Sequence, residues 1–168
     1  MIIMIIFAEE PIFWHVAFAV TDVEAAMADL GPALRLDWRP VKRWTGTIRD
    51  AGGRTHAIRT RITYSATSPL AIELFEDVPG SPLARRGGNP FHHIGFWTDD
   101  PAAERRRLAD AGWPCAGSAA EADGPVRSLF SGSDLGVWIE ACNVAVDRRG
   151  LRDLYPAAFR SPAREPLA

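Results

Sequence analysis

Phe91-His92-His93-Ile94-Gly95-Phe96-Trp97-Thr98-Asp99 is the stretch around which the rest of the chain is read. A near copy lies earlier, at Phe13-Trp14-His15-Val16-Ala17-Phe18-Ala19-Val20-Thr21-Asp22, and it places His15 opposite His93 at an offset of 78 residues. Both copies are apolar and rich in β-formers, and both end in Thr-Asp. An aspartate at the end of a strand suits a helix N-cap, because its carboxylate accepts from the free N–H groups of the first turn. Each copy therefore predicts a strand, a cap and a helix. An offset of nearly half the chain indicates a duplicated module rather than a short solenoid repeat, which would show three or more units.

Working outward, the first helix is expected from Val23 to Leu30, with Gly31-Pro32 stopping it or starting a new turn. Residues 38–49 mix aromatic, β-branched and basic side chains, and Asp50-Ala51-Gly52-Gly53 reads as a hairpin turn. Residues 55–66 alternate: His56, Ile58, Thr60, Ile62 and Tyr64 share one face, and Arg59 and Arg61 lie on the other, wet face. Leu70-Ala71-Ile72-Glu73-Leu74-Phe75 is the next strand, and its lone carboxylate is costly unless paired, protonated or bound to a metal. After a Pro- and Gly-rich linker comes the second copy, then a helix led by Pro101 and ended by Gly112. Residues 115–125 read as a strand plus a loop, and two strands, 126–131 and 136–141, flank Gly132-Ser133-Asp134. In the last of them Glu140 interrupts an apolar run as Glu73 does.

Composition bounds the function. With 47% hydrophobic residues, 168 residues can bury one core or two small ones sharing an interface. Nineteen basic against 21 acidic residues, net charge -2, supply no broad attraction for a polyanion, so nucleic acid is not expected as a partner. Arg85-Arg86, Arg105-Arg106-Arg107 and Arg148-Arg149 read as solvated faces that could still meet an acidic cofactor tail. Cys115 and Cys142 are too few for a disulfide framework and form no metal knuckle, which points to a reduced, cytoplasmic setting. The apolar start at residues 1–7 is too short for a membrane span and lacks the basic flank of an export signal. It reads as an edge strand or as a start codon placed too early. No membrane partner is expected.

Each half thus carries a histidine in its first strand and a glutamate in its last. His15, Glu73, His93 and Glu140 would meet if both halves face a common cavity, and that nitrogen and oxygen set suits a divalent first-row ion with water completing the shell. His92 reads as a packed or capping residue. Trp44, Tyr64, Phe75, Trp97 and Trp138 are either simple core or the lining of a pocket for an apolar ligand.

Over residues 13–142 the chain resembles the vicinal oxygen chelate superfamily, also called the glyoxalase/bleomycin-resistance/dioxygenase fold. Phe91-His92-His93-Ile94-Gly95-Phe96 is similar to the His-His-Ile-Ala-Phe segment of methylmalonyl-CoA epimerases, where the second histidine is the metal ligand; Ile72-Glu73-Leu74 and Ile139-Glu140 resemble the further ligand strands. The resemblance implies an α+β fold, two paired βαβββ modules forming a curved mixed sheet around a central cavity. The expected division is an N-terminal extension at 1–12, modules at 13–80 and 91–142, a linker at 81–90, and a partly disordered C-terminal extension at 143–168. It also implies one divalent ion (Zn, Ni, Co, Mn or Fe) held by His15, Glu73, His93 and Glu140, a small-molecule substrate bound through neighbouring oxygens, and a homodimer as a common assembly.

In the epimerases a carboxylate at the position of Glu140 moves the proton, and a second acid or base sits on the third strand of the first half. This chain has no glutamate there, and His56 is the nearest titratable side chain on the inward face, either an exposed strand residue or an assisting catalyst. The expected activity is a metal-dependent isomerase, epimerase or lyase. The alternatives are a metal-free ligand-sequestering protein of the bleomycin-resistance type and a ring-cleaving dioxygenase. Glu73 stands where the dioxygenase would have a second histidine.

Overall fold

The computed structural model describes residues 12–66, 70–120, 125–132 and 136–145. The expectations for residues 1–11 and for the tail from 146 onward lie outside the described residues. Element order is β1 (Ile12–Val20), α1 (Val23–Leu34), β2 (Lys42–Asp50), β3 (Thr55–Tyr64), β4 (Ala71–Glu76), then β5 (Phe91–Thr98), α2 (Pro101–Asp110), β6 (Cys115–Ala120), β7 (Val126–Gly132) and β8 (Trp138–Asn143). The strands close into one mixed barrel in the order β1-β4-β3-β2-β6-β7-β8-β5. Two parallel pairs, β1 with β4 and β5 with β8, sit on either side of the antiparallel β1–β5 seam.

The two helices start where aspartate caps them. Asp22 accepts from the Ala25 N–H at 2.8 Å, and Asp100 accepts from the Ala103 N–H at 2.9 Å. In the second copy the cap is therefore one residue later than the Thr-Asp match predicts, because Pro101 takes the first helical position. Helix α1 also differs from expectation, running on through Gly31 and Pro32 to Leu34 before Arg35 turns left-handed at φ 54°. Tertiary packing outweighs the helix breakers. Gly31 is buried against Trp38, and its carbonyl accepts from Leu36 N–H at 2.8 Å.

The inner face of the barrel carries Ala17, Ala19, Ile48, Ile58, Phe75, Leu83, Ala119 and Phe130 as one apolar cluster. Helix α2 covers the outside, where Leu108 packs with Phe96, Leu129 and Ala141. At one end Trp14, Tyr64, Ala71, Trp97 and Cys142 form a further cluster. A register shift between Phe13 and His15 brings Trp14 edge-on to His15 (ring centroids 4.0 Å), so Trp14 does not simply occupy the opposite face. The segment expected as a linker is packed as well: Leu83 is 6% exposed, and Arg85 N–H donates to Asp77 at 2.8 Å.

Candidate metal centre

Four neighbouring strands, β4, β1, β5 and β8, build the site, and their register explains how it forms. Ala17 pairs with Glu73 on one side and His93 on the other; two residues back, Gly95 pairs with His15 on one side and Glu140 on the other. Successive strands are about 4.8 Å apart, so each histidine and glutamate that straddle a small residue can lean over it and meet. The period of two puts both rows on one face.

His15, Glu73, His93 and Glu140 are accordingly buried together, with one ligand-type atom from each within 4.8 Å of all the others. His15 Nε2 lies 2.9 Å from Glu73 Oε2 and 3.2 Å from Glu140 Oε2, while His93 Nε2 lies 3.3 Å from Glu140 Oε2 and 3.6 Å from Glu73 Oε2. The two imidazole Nε2 atoms are 2.8 Å apart. These separations resemble the edges of a coordination polyhedron, since bonds of about 2.0–2.1 Å place neighbouring donors roughly 2.9–3.4 Å apart. Glu73 Oε2 is buried, with its nearest imidazole nitrogen, His15 Nε2, at 2.9 Å. Two imidazole nitrogens and two carboxylates gathered at these separations fit a divalent ion.

Burial pushes the Glu73 carboxyl up, but the charge of His15 and hydrogen bonding to His15 and His93 outweigh it and bring the group down to about 2. His93 moves the other way. Burial disfavours its charged form, yet hydrogen bonds to Glu140 and Glu73 and their charge raise it to about 9. Without an ion, the cluster holds its charge together with a proton on His93.

His92, which the sequence marks only as packed or capping, has a definite place. Pro82 O can only accept, so the 3.0 Å contact from His92 Nε2 puts the proton on that nitrogen and leaves Nδ1 with its lone pair. His93 Nδ1 then donates to His92 Nδ1 at 2.8 Å, so the proton His93 holds without an ion sits on Nε2, facing the carboxylates, and is the one an ion would displace. Arg86 Nη1 also approaches His92 Nε2 at 3.3 Å, but two donors cannot bond, and the shorter carbonyl contact decides. Burial, with the charges of His93 and Arg86, lowers His92 to about 2, so it stays neutral. Arg86 holds the His92 carbonyl at 2.6 Å and stacks on Trp138 at 4.0 Å. His92→Leu should therefore weaken metal binding about 10- to 100-fold, as loss of a ligand's orienting partner usually does. Competition with a chromogenic chelator measures this, and unchanged affinity would show that His92 only fills space.

The cluster lies on the wall of a cavity of about 490 Å³, with Glu73, His93 and Glu140 among its lining residues. Of the aromatics singled out in the sequence, Trp44, Tyr64 and Phe75 line it, whereas Trp97 stacks on Trp14 at 4.3 Å and Trp138 lies under Arg86. Phe130, Ser128 and Arg127 line it too and carried no recognisable signal in the sequence. His56 is not brought to the cluster. It sits at the far end of the β2–β3 hairpin, 2.7 Å from Asp50 Oδ2. That contact, the largest of several influences, lowers the Asp50 carboxyl.

A closed mixed barrel with a buried pair of imidazoles and a pair of carboxylates on its cavity wall defines the class, a candidate metal centre in a barrel of duplicated strand order. Residues 14–130 match the family model described as the Glyoxalase/Bleomycin resistance protein/Dioxygenase superfamily, and the chain belongs to that superfamily. Solved structures agree on the fold. A hypothetical protein from Bacillus halodurans C-125 aligns at TM-score 0.54 and 19% identity over 77% of this chain and 91% of its own. A methylmalonyl-CoA epimerase in complex with methylmalonyl-CoA and NH4+ aligns at TM-score 0.53 and 18% identity, covering 78% and 92%. The Mycobacterium tuberculosis methylmalonyl-CoA epimerase aligns at TM-score 0.51 and 18% identity, covering 77% and 85%. No match was found among the curated proteins. No helix among the described residues is long and apolar enough to cross a membrane.

Proposed function

We propose that the protein is a metal-dependent isomerase, epimerase or lyase that moves a proton on the carbon next to a carbonyl of a small acid or acyl thioester. The observation that carries this reading is the convergence of His15, Glu73, His93 and Glu140, the last three of which line the cavity. These four residues would hold one divalent ion, which when bound offsets the negative charge that builds on a carbonyl oxygen as the neighbouring proton leaves. Glu140 is the residue assigned to carry that proton. It is 5% exposed, lines the cavity, and has both imidazoles within 3.3 Å of its Oε2. His93, seated on His92, keeps its Nε2 turned inward, and the apolar walls formed by Phe75, Ile48 and Phe130 would exclude water from the reacting carbon. His56 has no part in this scheme because Asp50 holds it away from the cavity. The halves 13–80 and 91–142 are read as copies of one βαβββ unit, supported by the matched placement of His15 with His93 and of Glu73 with Glu140.

The test has two parts. Metal uptake at pH 7 should reach close to one ion per chain and release about one proton, because His93, raised to about 9, must give up its proton to bind. Affinity should therefore rise with pH until about 9. The sign for the metal-free fold is opposite: a histidine with a raised folded pKa contributes stability below about 6.5 that is lost as pH climbs through 9. Calorimetry in buffers of different ionisation enthalpy reads the proton. The loaded protein, incubated in D2O with 2-oxo acids and acyl thioesters, should exchange the proton next to the carbonyl, and Glu140→Gln should stop the exchange. A loaded protein that exchanges no proton on any candidate, yet binds aromatic ligands tightly, would favour the ligand-sequestering reading instead, which the aromatic walls at Trp44, Tyr64 and Phe75 support.

A further inference from the structure

The β6–β7 register skips a residue: Ala119 pairs with Ser128 but Ala120 pairs with Val126, so Arg127 has no residue opposite it. Plain alternation would send Arg127 outward with Leu129, which packs beneath α2. The irregularity turns it the other way, as bulges do when they re-aim a side chain. Its guanidinium instead crosses the small residues of β6 and comes to rest 5.6 Å from the centre of the Trp44 ring on β2. Gly46 makes this possible. A Cβ there would lie 2.7 Å from Trp44 Cζ2 and 3.3 Å from Arg127 Nη2.

Arg127 lines the same cavity as the metal-type cluster, and its Nε is buried with no hydrogen-bond partner among the described residues. Among the described residues, the carboxylates lining the cavity are Glu73 and Glu140. Those two already face a pair of imidazoles and, on the reading above, an ion. Neither carboxylate forms an ion pair with Arg127, and a partly buried guanidinium gains most from a planar or tetrahedral oxyanion that accepts several of its N–H groups.

We propose that the substrate carries, beyond the two oxygens presented to the His15, Glu73, His93 and Glu140 cluster, a second anionic group, a carboxylate or a phosphate, that Arg127 binds. This rests on the metal-centre reading and deepens it by naming the charge and two-ended form of the ligand. Gly46 and the irregular β6–β7 register are then specificity features, since each serves to place the guanidinium inside the cavity.

The experiment uses the metal-loaded full chain and three hydroxamates of matched length, each offering two neighbouring oxygens: glutaric monohydroxamate, its methyl ester, and the analogue ending in a phosphonate. Titration calorimetry at low salt should show at least one anionic hydroxamate binding about tenfold or more tightly than the ester, the scale of a charge-assisted bidentate contact. In Arg127→Met that advantage, taken as the ratio of acid to ester affinity within the variant, should fall below about twofold, and Arg127→Lys, which keeps the charge but not the fork, should fall between. Whichever anion wins, carboxylate or phosphonate, identifies the group. Equal affinity for the acids and the ester, or an advantage that survives Arg127→Met, overturns the proposal. Elemental analysis of the same samples separates the two failures. A chain that takes up no metal sinks the metal reading and this one with it, whereas a loaded chain with equal affinities sinks only the anion site.

Discussion

His93→Ala is expected to abolish metal binding, from close to one ion per chain to none that survives dialysis. The residue is 2% exposed, and its Nε2 is within 3.6 Å of the carboxylate oxygens of both Glu73 and Glu140 and 2.8 Å from His15 Nε2. Among the described residues no other histidine lies in the cluster besides His15. His92, the adjacent imidazole, is held by Pro82 O through its Nε2 and packs against Phe75 and Trp138. Loss of the ring also removes the lesser of the two imidazoles that hold Glu73 down at about 2, so the carboxyl should rise. Two buried carboxylates then share the single imidazole of His15, and removing one partner from a buried ion pair costs at most about 3–5 kcal/mol. The metal-free variant should therefore melt below the metal-free parent, and added metal should no longer raise its melting temperature. Elemental analysis and paired thermal melts measure both effects. A variant that retains its full complement of ion would remove His93 from the site.

Gly95→Ala is expected to cripple metal binding although no ligand is touched. Gly95 lies beside His15 in the β1–β5 seam, and the His15 ring rests against its Cα so closely that an added Cβ would fall within the imidazole. Neither side can yield easily. Gly95 is paired to β1 on one side and to Glu140 of β8 on the other, and His15 is wholly buried with Trp14 against its edge. The ring must swing off the cluster or the seam must part. Overpacking of this kind costs about 1–3 kcal/mol, and displacement of one ligand should lower metal affinity by at least about a hundredfold, or 2.8 kcal/mol at 1.4 kcal/mol per decade. Chelator competition and a melt report the two quantities. Affinity within about twofold of the parent would mean that the bare Cα is not what seats His15.

Much of this architecture was legible because strands advertise themselves by parity. His56, Ile58, Thr60, Ile62 and Tyr64 were assigned to one face of β3, and Ile58, Thr60 and Tyr64 are buried while Arg59 is exposed. Glu73 and Glu140 stood out because a carboxylate inside an apolar strand is expensive without a partner. His56 shows where parity stops. Being on the inward face says nothing about distance along the barrel, and at the hairpin end it meets Asp50 instead of the cluster. Gly95 carried a signal that went unused, since a glycine inside a strand marks a close approach by another group. Arg127 carried none, because its direction depends on a skipped pairing between two strands.

The amino-acid sequence alone determined which side chains carry ligand chemistry, which strands hold them and on which face, because residue type and a period of two are local properties. Only the tertiary structure decided that they meet. The parallel pairings of β1 with β4 and β5 with β8 join segments far apart in the chain, and hydrogen-bond register across them sets Glu73 and His93 astride Ala17, and His15 and Glu140 astride Gly95. The same holds for the proton on His93, placed by a carbonyl from Pro82 ten residues before His92, and for α1, which continues past Pro32 because Gly31 packs on Trp38. In each case a contact supplied by another part of the chain outweighed the local preference.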